Sequence, residues 1–373
     1  MTRPKRGAAV RRLIAAAALT ALAATGCSTA NKTAGKEKSS TTSSSKSTSA
    51  KTVNLAFVYP TTTTNFAQEM ALGAKAAAAD TPGVKLTESA PAAVDGPKEV
   101  QLFQAAARTS KDGVAMMTLT PDLFLRPLQT AAAQNVPLVG VDTPPPEGAL
   151  DTEKLLVANS NVEIGQDLAK ALLPKIPKGA TGEILVGTDT PGLIVLEQRN
   201  QGFQQVLKKE RPGLKFLVFD AKQSPTDNYN TWSAQVKAHP NAVAYVGPGS
   251  QAAVSLTRIQ KQKGQKKLLV GADDLDPVAL EGVKDGYVEA LVSPEHWLKG
   301  YLAVKLMAQA AQSGKALPEG LWNPGALVVN AKNIDEILTR QQSPESRASY
   351  FKPIVDKQLA HQDKYLIPMP PGL

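Results

Sequence analysis

From residue 53 onward, short β-branched runs alternate with Ala-rich stretches of helical period. Strands are expected at Val53–Tyr59, Gly113–Leu119, Pro137–Asp142, Glu183–Gly187, Lys215–Phe219, Ala242–Val246, Lys267–Gly271 and Tyr287–Val292. Helices are expected at Asn65–Ala79, Leu123–Gln134, Asn161–Leu173, Val195–Lys209, Tyr229–Ala238, Gln251–Gln262, Pro277–Asp285 and Leu298–Gln312. Strand runs this apolar are buried on both faces. With a helix after each strand, that implies parallel sheets covered on both sides by helices, an α/β class. The alternating part is about 320 residues, long for one domain and suited to two.

Three of the expected strands echo one another. Leu138-Val139-Gly140-Val141-Asp142 recurs as Leu185-Val186-Gly187-Thr188-Asp189 and as Leu269-Val270-Gly271-Ala272-Asp273. Each is a buried run ending in Gly-x-Asp. In open parallel sheets, ligands bind outside the carboxyl ends of the strands, which is where these aspartates fall. An aspartate there also serves as a turn former or helix cap. Its repetition in two similar half-chains favours a shared crevice.

The first 52 residues are different. Arg3, Lys5, Arg6, Arg11 and Arg12 precede an apolar run from Leu13 to Ala24, then Ala24-Thr25-Gly26-Cys27. A basic start, a short apolar run and small residues before a cut are the parts of a secretory signal. The run is about 12 residues where a spanning helix needs about 20, so removal is expected rather than retention. The tetrad ending at Cys27 resembles the bacterial lipobox, in which cleavage leaves a lipidated, palmitate-type cysteine at the new N-terminus. An ordinary signal peptide with a chance cysteine is the alternative. Cys27 is the only cysteine, so no disulfide forms within the chain. Residues 28–52 are nearly all Ser, Thr, Lys, Ala and Gly, a disordered spacer by composition.

Charge follows the same division. The chain is +9 overall. The basic residues before Cys27 and the lysines of the spacer account for all of it, leaving the alternating part neutral. A nucleic-acid role based on net charge is therefore unsupported. The spacer lysines face an anionic lipid surface or keep the linker solvated. Catalytic motifs are also lacking. His239, His296 and His361 are far apart, no Gly-x-Ser-x-Gly or phosphate loop occurs, and no spacing of His, Cys and carboxylates indicates a metal. No cofactor and no enzyme activity are expected.

Residues 53–330 resemble the periplasmic binding proteins of the ribose- and galactose-binding type. The resemblance rests on an ordered series of fragments. Asn65-Phe66 with Gly73-Ala74, Val136-Pro137-Leu138-Val139 with Asp142, Glu197 to Phe203 around Arg199, Ala238-His239-Pro240, Val270-Gly271-Ala272-Asp273 and Lys284-Asp285-Gly286 match it in turn. The resemblance implies a type I fold, two similar parallel-sheet three-layer lobes joined by a three-stranded hinge. The chain would cross between lobes near residues 157, 294 and 325. The expected division is a signal at 1–26, a lipidated cysteine and tether at 27–52, an N-terminal lobe of 53–156 plus 294–324, and a C-terminal lobe of 157–293 plus 325–373. Helices at Asn333–Arg340 and Ser343–Leu359 would extend the second lobe.

Site residues follow from the same resemblance. Phe66 matches an aromatic that packs on a sugar face. Asp142 and Asp273 match carboxylates that accept from hydroxyls, and Arg199 matches a guanidinium that donates to them. The sequence departs from the pattern at Ala67, at Thr143 before Pro144-Pro145-Pro146, at Pro248-Gly249-Ser250, at Ala272 and at Pro294-Glu295. Several donors and a stacking ring are thereby replaced. Thr143 and Ser250 are carried as candidates at the substituted positions. His296 and Trp297 lie where hinge residues reach the cleft, Trp297 either replacing the lost ring or covering the hinge. Ser224 and Asn228 fall in a loop that faces the cleft in relatives.

The resemblance implies a monomeric, lipid-anchored substrate-binding protein on the extracytoplasmic face. It would capture a small solute, a sugar or polyol, and deliver it to an ABC permease with its ATPase. The alternative is a ligand-sensing receptor docking to a membrane kinase or chemoreceptor. A related repressor would need an N-terminal DNA-binding helix pair where this chain has its signal and tether.

Overall fold

The computed structural model describes residues 52–369. The signal, Cys27 and all but the end of the spacer lie outside the described residues. The first body begins with β1 (Val53–Val58), α1 (Asn65–Ala79), β2 (Val84–Ser89), α2 (Gly96–Thr109), β3 (Gly113–Met116), α3 (Leu125–Ala133), β4 (Leu138–Val141) and β5 (Leu155–Val157). The chain then enters a second body through α4 (Asn161–Leu172), β6 (Gly182–Thr188), α5 (Ile194–Glu210), β7 (Leu214–Asp220), α6 (Pro225–Ala238), β8 (Ala244–Gly247), α7 (Ala252–Lys263), β9 (Val270–Asp273), α8 (Pro277–Lys284) and β10 (Ala290–Ser293). Next, α9 (His296–Ser313) and β11 (Gly320–Trp322) return to the first body, and β12 (Leu327–Asn330) and α10 (Ile334–Arg340) go back to the second. The last elements are α11 (Pro344–Ala360), α12 (Gln362–Tyr365) and β13 (Leu366–Ile367).

The result is a two-lobed α/β molecule. One sheet has the order β13-β11-β5-β4-β3-β1-β2 and the other β12-β10-β9-β8-β6-β7. Both are parallel except for one antiparallel edge strand each, β13 on β11 and β12 on β10. Central strands such as Gly113–Met116 and Ala290–Ser293 are wholly buried, as a sheet covered on both faces requires. Several elements had no counterpart among the expected strands and helices, β2 and α2 among them. Residues 84–89 carry Lys85, Thr87 and Glu88 on a half-exposed edge, so they lack an apolar run. The helix at 96–109 opens on Gly-Pro and mixes polar residues evenly with apolar ones.

Three connections between lobes leave at 157, 293 and 322, and a fourth follows α10. This corrects the placement of the C-terminal helices on the second lobe. Of the two, α10 does pack there, through Ile334 and Ile337. By contrast, α11 buries Phe351 and Val355 in the first lobe's core, and Arg347 Nη2 pairs with Glu69 Oε1 of α1 at 2.8 Å. The pairing of β13 with β11 extends the first sheet. The apolar residues of α11 match Trp297 and Tyr301 of α9, a contact that a reading of periodicity within one helix cannot assign.

The lobes share a local symmetry that sets up the site. In the first lobe, α1 and α9 touch at Gly73 and Gly300; in the second, α5 and α4 touch at Gly202 and Gly165. A Cβ on Gly73 would lie 1.8 Å from Trp297 O, and one on Gly300 1.9 Å from Met70 O. On Gly202 and Gly165 it would lie 1.9 Å from Val162 O and 1.8 Å from Arg199 O. Only glycine permits backbones this close. The pattern equates Met70 with Arg199 and His296 with Asn161, so the second lobe carries a buried cation where the first carries a thioether.

Candidate ligand-binding cleft

The carboxyl ends of both sheets face each other across a small closed space. Its wall includes Phe66, Met117, Leu119 and Asp142 from the first lobe, and Asp189, Leu193, Val195, Leu196, Arg199, Gln223, Gly249, Ser250 and Asp274 from the second, with His296 at the hinge. The cavity is about 30 Å³, the share of one water molecule in the liquid. A ring-sized solute therefore enters only if the lobes part. Larger hollows of about 460 and 540 Å³ lie elsewhere, each lined by one lobe's surface and by none of these buried charges.

The strand ends place the aspartates. Asp142 follows β4 with φ 66, and its N–H donates to Val157 O at 2.9 Å. Asp274 follows β9 with φ 69, and its N–H donates to Val292 O at 2.9 Å. These are the same turn in the two lobes, and aspartate tolerates its left-handed backbone. Asp273 is still in the strand, opposite Val292, as Val141 is opposite Val157. The structural partner of Asp142 is thus Asp274.

On the first-lobe side, Lys299 Nζ donates to Asp142 Oδ1, with both side chains almost fully out of solvent. Burial alone would push the Asp142 carboxyl up. Lys299, with His296 and Arg199, outweighs it and holds Asp142 below the ordinary carboxylate range. Burial lowers Lys299 against the pull of Asp142. On the second-lobe side, Arg199 Nε donates to Asn161 Oδ1 at 3.1 Å and Nη1 to Pro248 O at 3.2 Å. Its Nη1 also lies 3.6 Å from Asp273 Oδ2 and 4.0 Å from Asp274 Oδ1. His296 Nε2 sits 2.7 Å from Asp274 Oδ1. Burial opposes ionisation of Asp274, yet His296 and Arg199 carry its pKa below the ordinary value. An ionised carboxylate only accepts, so Nε2 bears the proton. His296 Nδ1 has no hydrogen-bond partner among the described residues.

Two carboxyls are pushed the other way. Asp273 is raised to about 8, chiefly by burial and against Arg199, with Asp274 and Asp189 adding repulsion. Asp189 is raised to about 7, again chiefly by burial; Asn228, Gln251 and Ser250 oppose this and Asp274 adds to it. Its Oδ1 accepts from Asn228 Nδ2 at 2.9 Å and its Oδ2 from Gln251 N at 3.1 Å.

Of the residues expected from the sequence, Phe66, Asp142, Arg199, Ser250 and His296 meet at this wall. Three do not. Asp273 lies behind Arg199, because one further residue of strand turns it to the other face of the sheet. Thr143 is buried under the cleft floor, its N–H donating to Val141 O at 2.7 Å. Trp297 stacks between Tyr301 and Phe351 at 5.0 and 4.8 Å, away from the cleft, and covers the hinge side of the first lobe. Asn228 is buried and holds Asp189, while Ser224 is the residue before α6 and exposed. The reading missed Lys299, Asp274 and the apolar wall. Lys299 had one signal, a lysine amid Trp297, Leu298, Gly300, Tyr301 and Leu302 at a helix start.

Residues 55–316 match the sequence profile described as periplasmic binding protein domain. The chain belongs to that family. A xylose/arabinose-binding protein from Sulfolobus acidocaldarius is 21% identical over 217 residues, 54% of this chain and 52% of the relative. The chain thus matches about half the length of that protein. The D-allose-binding periplasmic protein of Escherichia coli is 26% identical over 242 residues, 62% of this chain and 75% of the relative. Among solved structures, a solute-binding protein of an ABC transporter from Agrobacterium vitis with bound D-fucose superposes with a TM-score of 0.70 at 23% identity. That match covers 76% of this chain and 97% of the other. GanP, a glucose-galactose binding protein from Geobacillus stearothermophilus, gives 0.67 at 22%, over 76% and 99%. At such identities the structures establish the fold, that of the sugar-binding solute receptors of ABC transporters. The family and these relatives are binding proteins rather than enzymes. No helix among the described residues is long and apolar enough to cross a membrane.

Proposed function

We propose that this protein is an extracytoplasmic, lipid-anchored receptor that captures a small polar solute of the sugar or polyol class between its lobes and delivers it to an ABC importer. One observation carries the reading. Charged side chains of both lobes, Asp142 (paired with Lys299) from one and Arg199 with Asp274 from the other, line one small space at the strand ends. Neither lobe alone encloses that space, so binding and closure are coupled. A solute that meets partners from both lobes shifts the molecule toward the closed form by its preferential affinity for it.

The other supports are the family, the binding roles named for the relatives, and the lipobox at Cys27. Small-angle scattering with a panel of sugars and polyols tests the mechanism. A binding solute is expected to lower the radius of gyration; binding with an unchanged radius would remove the support for capture by closure. Cys27→Ala tests the anchor. The variant is expected to lose lipid labelling and leave the membrane fraction, and a variant that stays with the membrane refutes this anchor.

A further inference from the structure

Four aspartates lie at or just outside the cleft wall. Asp142, Asp189 and Asp274 line it with Arg199 and His296, while Asp273 and Lys299 reach wall residues from outside it. Three of the four are matched one to one. Asp142 pairs with Lys299, Asp274 with His296, and Asp273 with Arg199.

Asp189 is the exception. It lines the cavity and is 3% exposed, and the groups that donate to it are neutral, Asn228 Nδ2 and the backbone N–H groups of Gln251 and Ser250. The charge that reaches it from its surroundings is that of Asp274, which is of the same sign. These bonds do not exhaust the lone pairs of a carboxylate, so acceptor capacity is left on Asp189. Gly249 is packed so closely that a Cβ there would lie 2.5 Å from Asp189 Oδ2, which keeps the loop against the carboxylate.

A second, separate feature of the wall points to a bound molecule. His296 is 7% exposed, lines the cavity, and has an Nδ1 that no group among the described residues satisfies. A buried polar atom without a partner is costly and is normally satisfied by water or by ligand.

We propose that the solute carries a protonated amine, seated on Asp189, beside hydroxyl groups that meet Asp142, Asp274 and His296. The inference rests on the solute-receptor reading above and narrows it from neutral sugars to amino sugars or amino polyols. An ammonium supplies three donors and a positive charge beside the one aspartate of the wall that has no basic side chain against it. On binding, it restores to Asp189 the counter-charge that burial withholds and favours its ionised form. The raised pKa of Asp189 in the empty cleft, about 7, agrees with a carboxyl waiting for such a partner.

The test is calorimetric titration of the full-length protein with matched pairs: D-glucose and D-glucosamine, D-galactose and D-galactosamine, myo-inositol and its monoamino analogue. At least one amine is expected to bind with a Kd ten or more times lower than its neutral partner. Asp189→Asn is expected to bring that ratio below about two. If the variant does not fold, the wild-type ratio decides. A neutral member that binds as tightly as its amine overturns this inference and leaves the receptor reading standing. An amine preference that survives in Asp189→Asn overturns the assignment to Asp189. If no member of either set binds, the inference fails, and the sugar-class reading fails with it.

Discussion

The two lobes end a central strand in nearly the same letters, Leu-Val-Gly-x-Asp, and use them differently. In the first lobe, Asp142 leaves the strand and is held in the cleft by Lys299. In the second, Asp273 remains in β9 and faces Arg199 from behind, and the next residue, Asp274, makes the turn that Asp142 makes. The helix pairs differ in the same complementary way. Arg199 in α5 occupies the place of Met70 in α1. Each lobe thus brings one cation, on opposite members of its helix pair: Lys299 on α9 in the first, Arg199 on α5 in the second. The lesson is that a pseudo-symmetric scaffold is chemically asymmetric at its cleft, and a one-residue shift of the strand along the shared letters decides which aspartate faces the cleft.

The largest effect is expected from breaking the first-lobe pair. Lys299→Met leaves Asp142 buried without its partner, which costs about 3–5 kcal/mol of stability. Removing both charges together, in Asp142→Leu with Lys299→Met, is expected to recover part of that loss. Urea unfolding measures both, and a single variant as stable as wild type contradicts the pairing.

Next come the crossing glycines. Gly73→Ala and Gly202→Ala each force a Cβ into a facing carbonyl, and overpacking of this kind costs about 1–3 kcal/mol. If the symmetry is real, the two lose comparable stability by thermal melting. A neutral result at one of them breaks the equivalence of the helix pairs.

The aspartates give a sharper contrast at smaller cost. Asp274→Asn is expected to weaken the best-binding member of the sugar and amine panel by about 1.5–3 kcal/mol, the range for a charged hydrogen-bond partner. Asp273→Asn is expected to change that affinity less than twofold. Reversed effects would restore Asp273 to the cleft and Asp274 to the turn.

The last contrast is in pH dependence. Asp273 has a folded pKa of about 8 and an ordinary unfolded one, so between roughly pH 4 and pH 8 the native state binds a proton the unfolded chain has released. Its contribution to stability is therefore present at low pH and declines as pH rises through that window. Asp189, Glu99 and Glu153 act in the same sense, being raised to about 7, 8 and 8. Asp142 and Asp274 are lowered and act in the opposite sense, losing their contribution only as pH falls below the usual carboxylate range. Facing Asp273 are Arg199, Lys299, Asp274 and Asp189. Asp273→Asn is expected to flatten the decline of stability toward pH 8. An unchanged slope would place the Asp273 carboxyl near its ordinary range.

Local pattern carried most of the architecture. Buried apolar runs followed by helical stretches dictate parallel strands under helices whatever lies at their ends, because both faces of such a sheet must be covered. Asp142 was legible for a related reason, since the strand ends of a parallel sheet converge on one side, whereas Phe66, Arg199 and His296 were read through the family resemblance. What sequence left open was decided by tertiary contact. Whether Asp273 or Asp274 faces the cleft depends on where β9 stops, and that is set by its pairing with β10, because a shift of one residue moves a side chain to the opposite face. Lys299 reads as an ordinary helix lysine until α9 brings it against Asp142, 157 residues away. The lobe to which α11 belongs depends on Trp297, Tyr301 and Phe351 finding one another, since a helix's own periodicity defines an apolar face and not the partner that covers it.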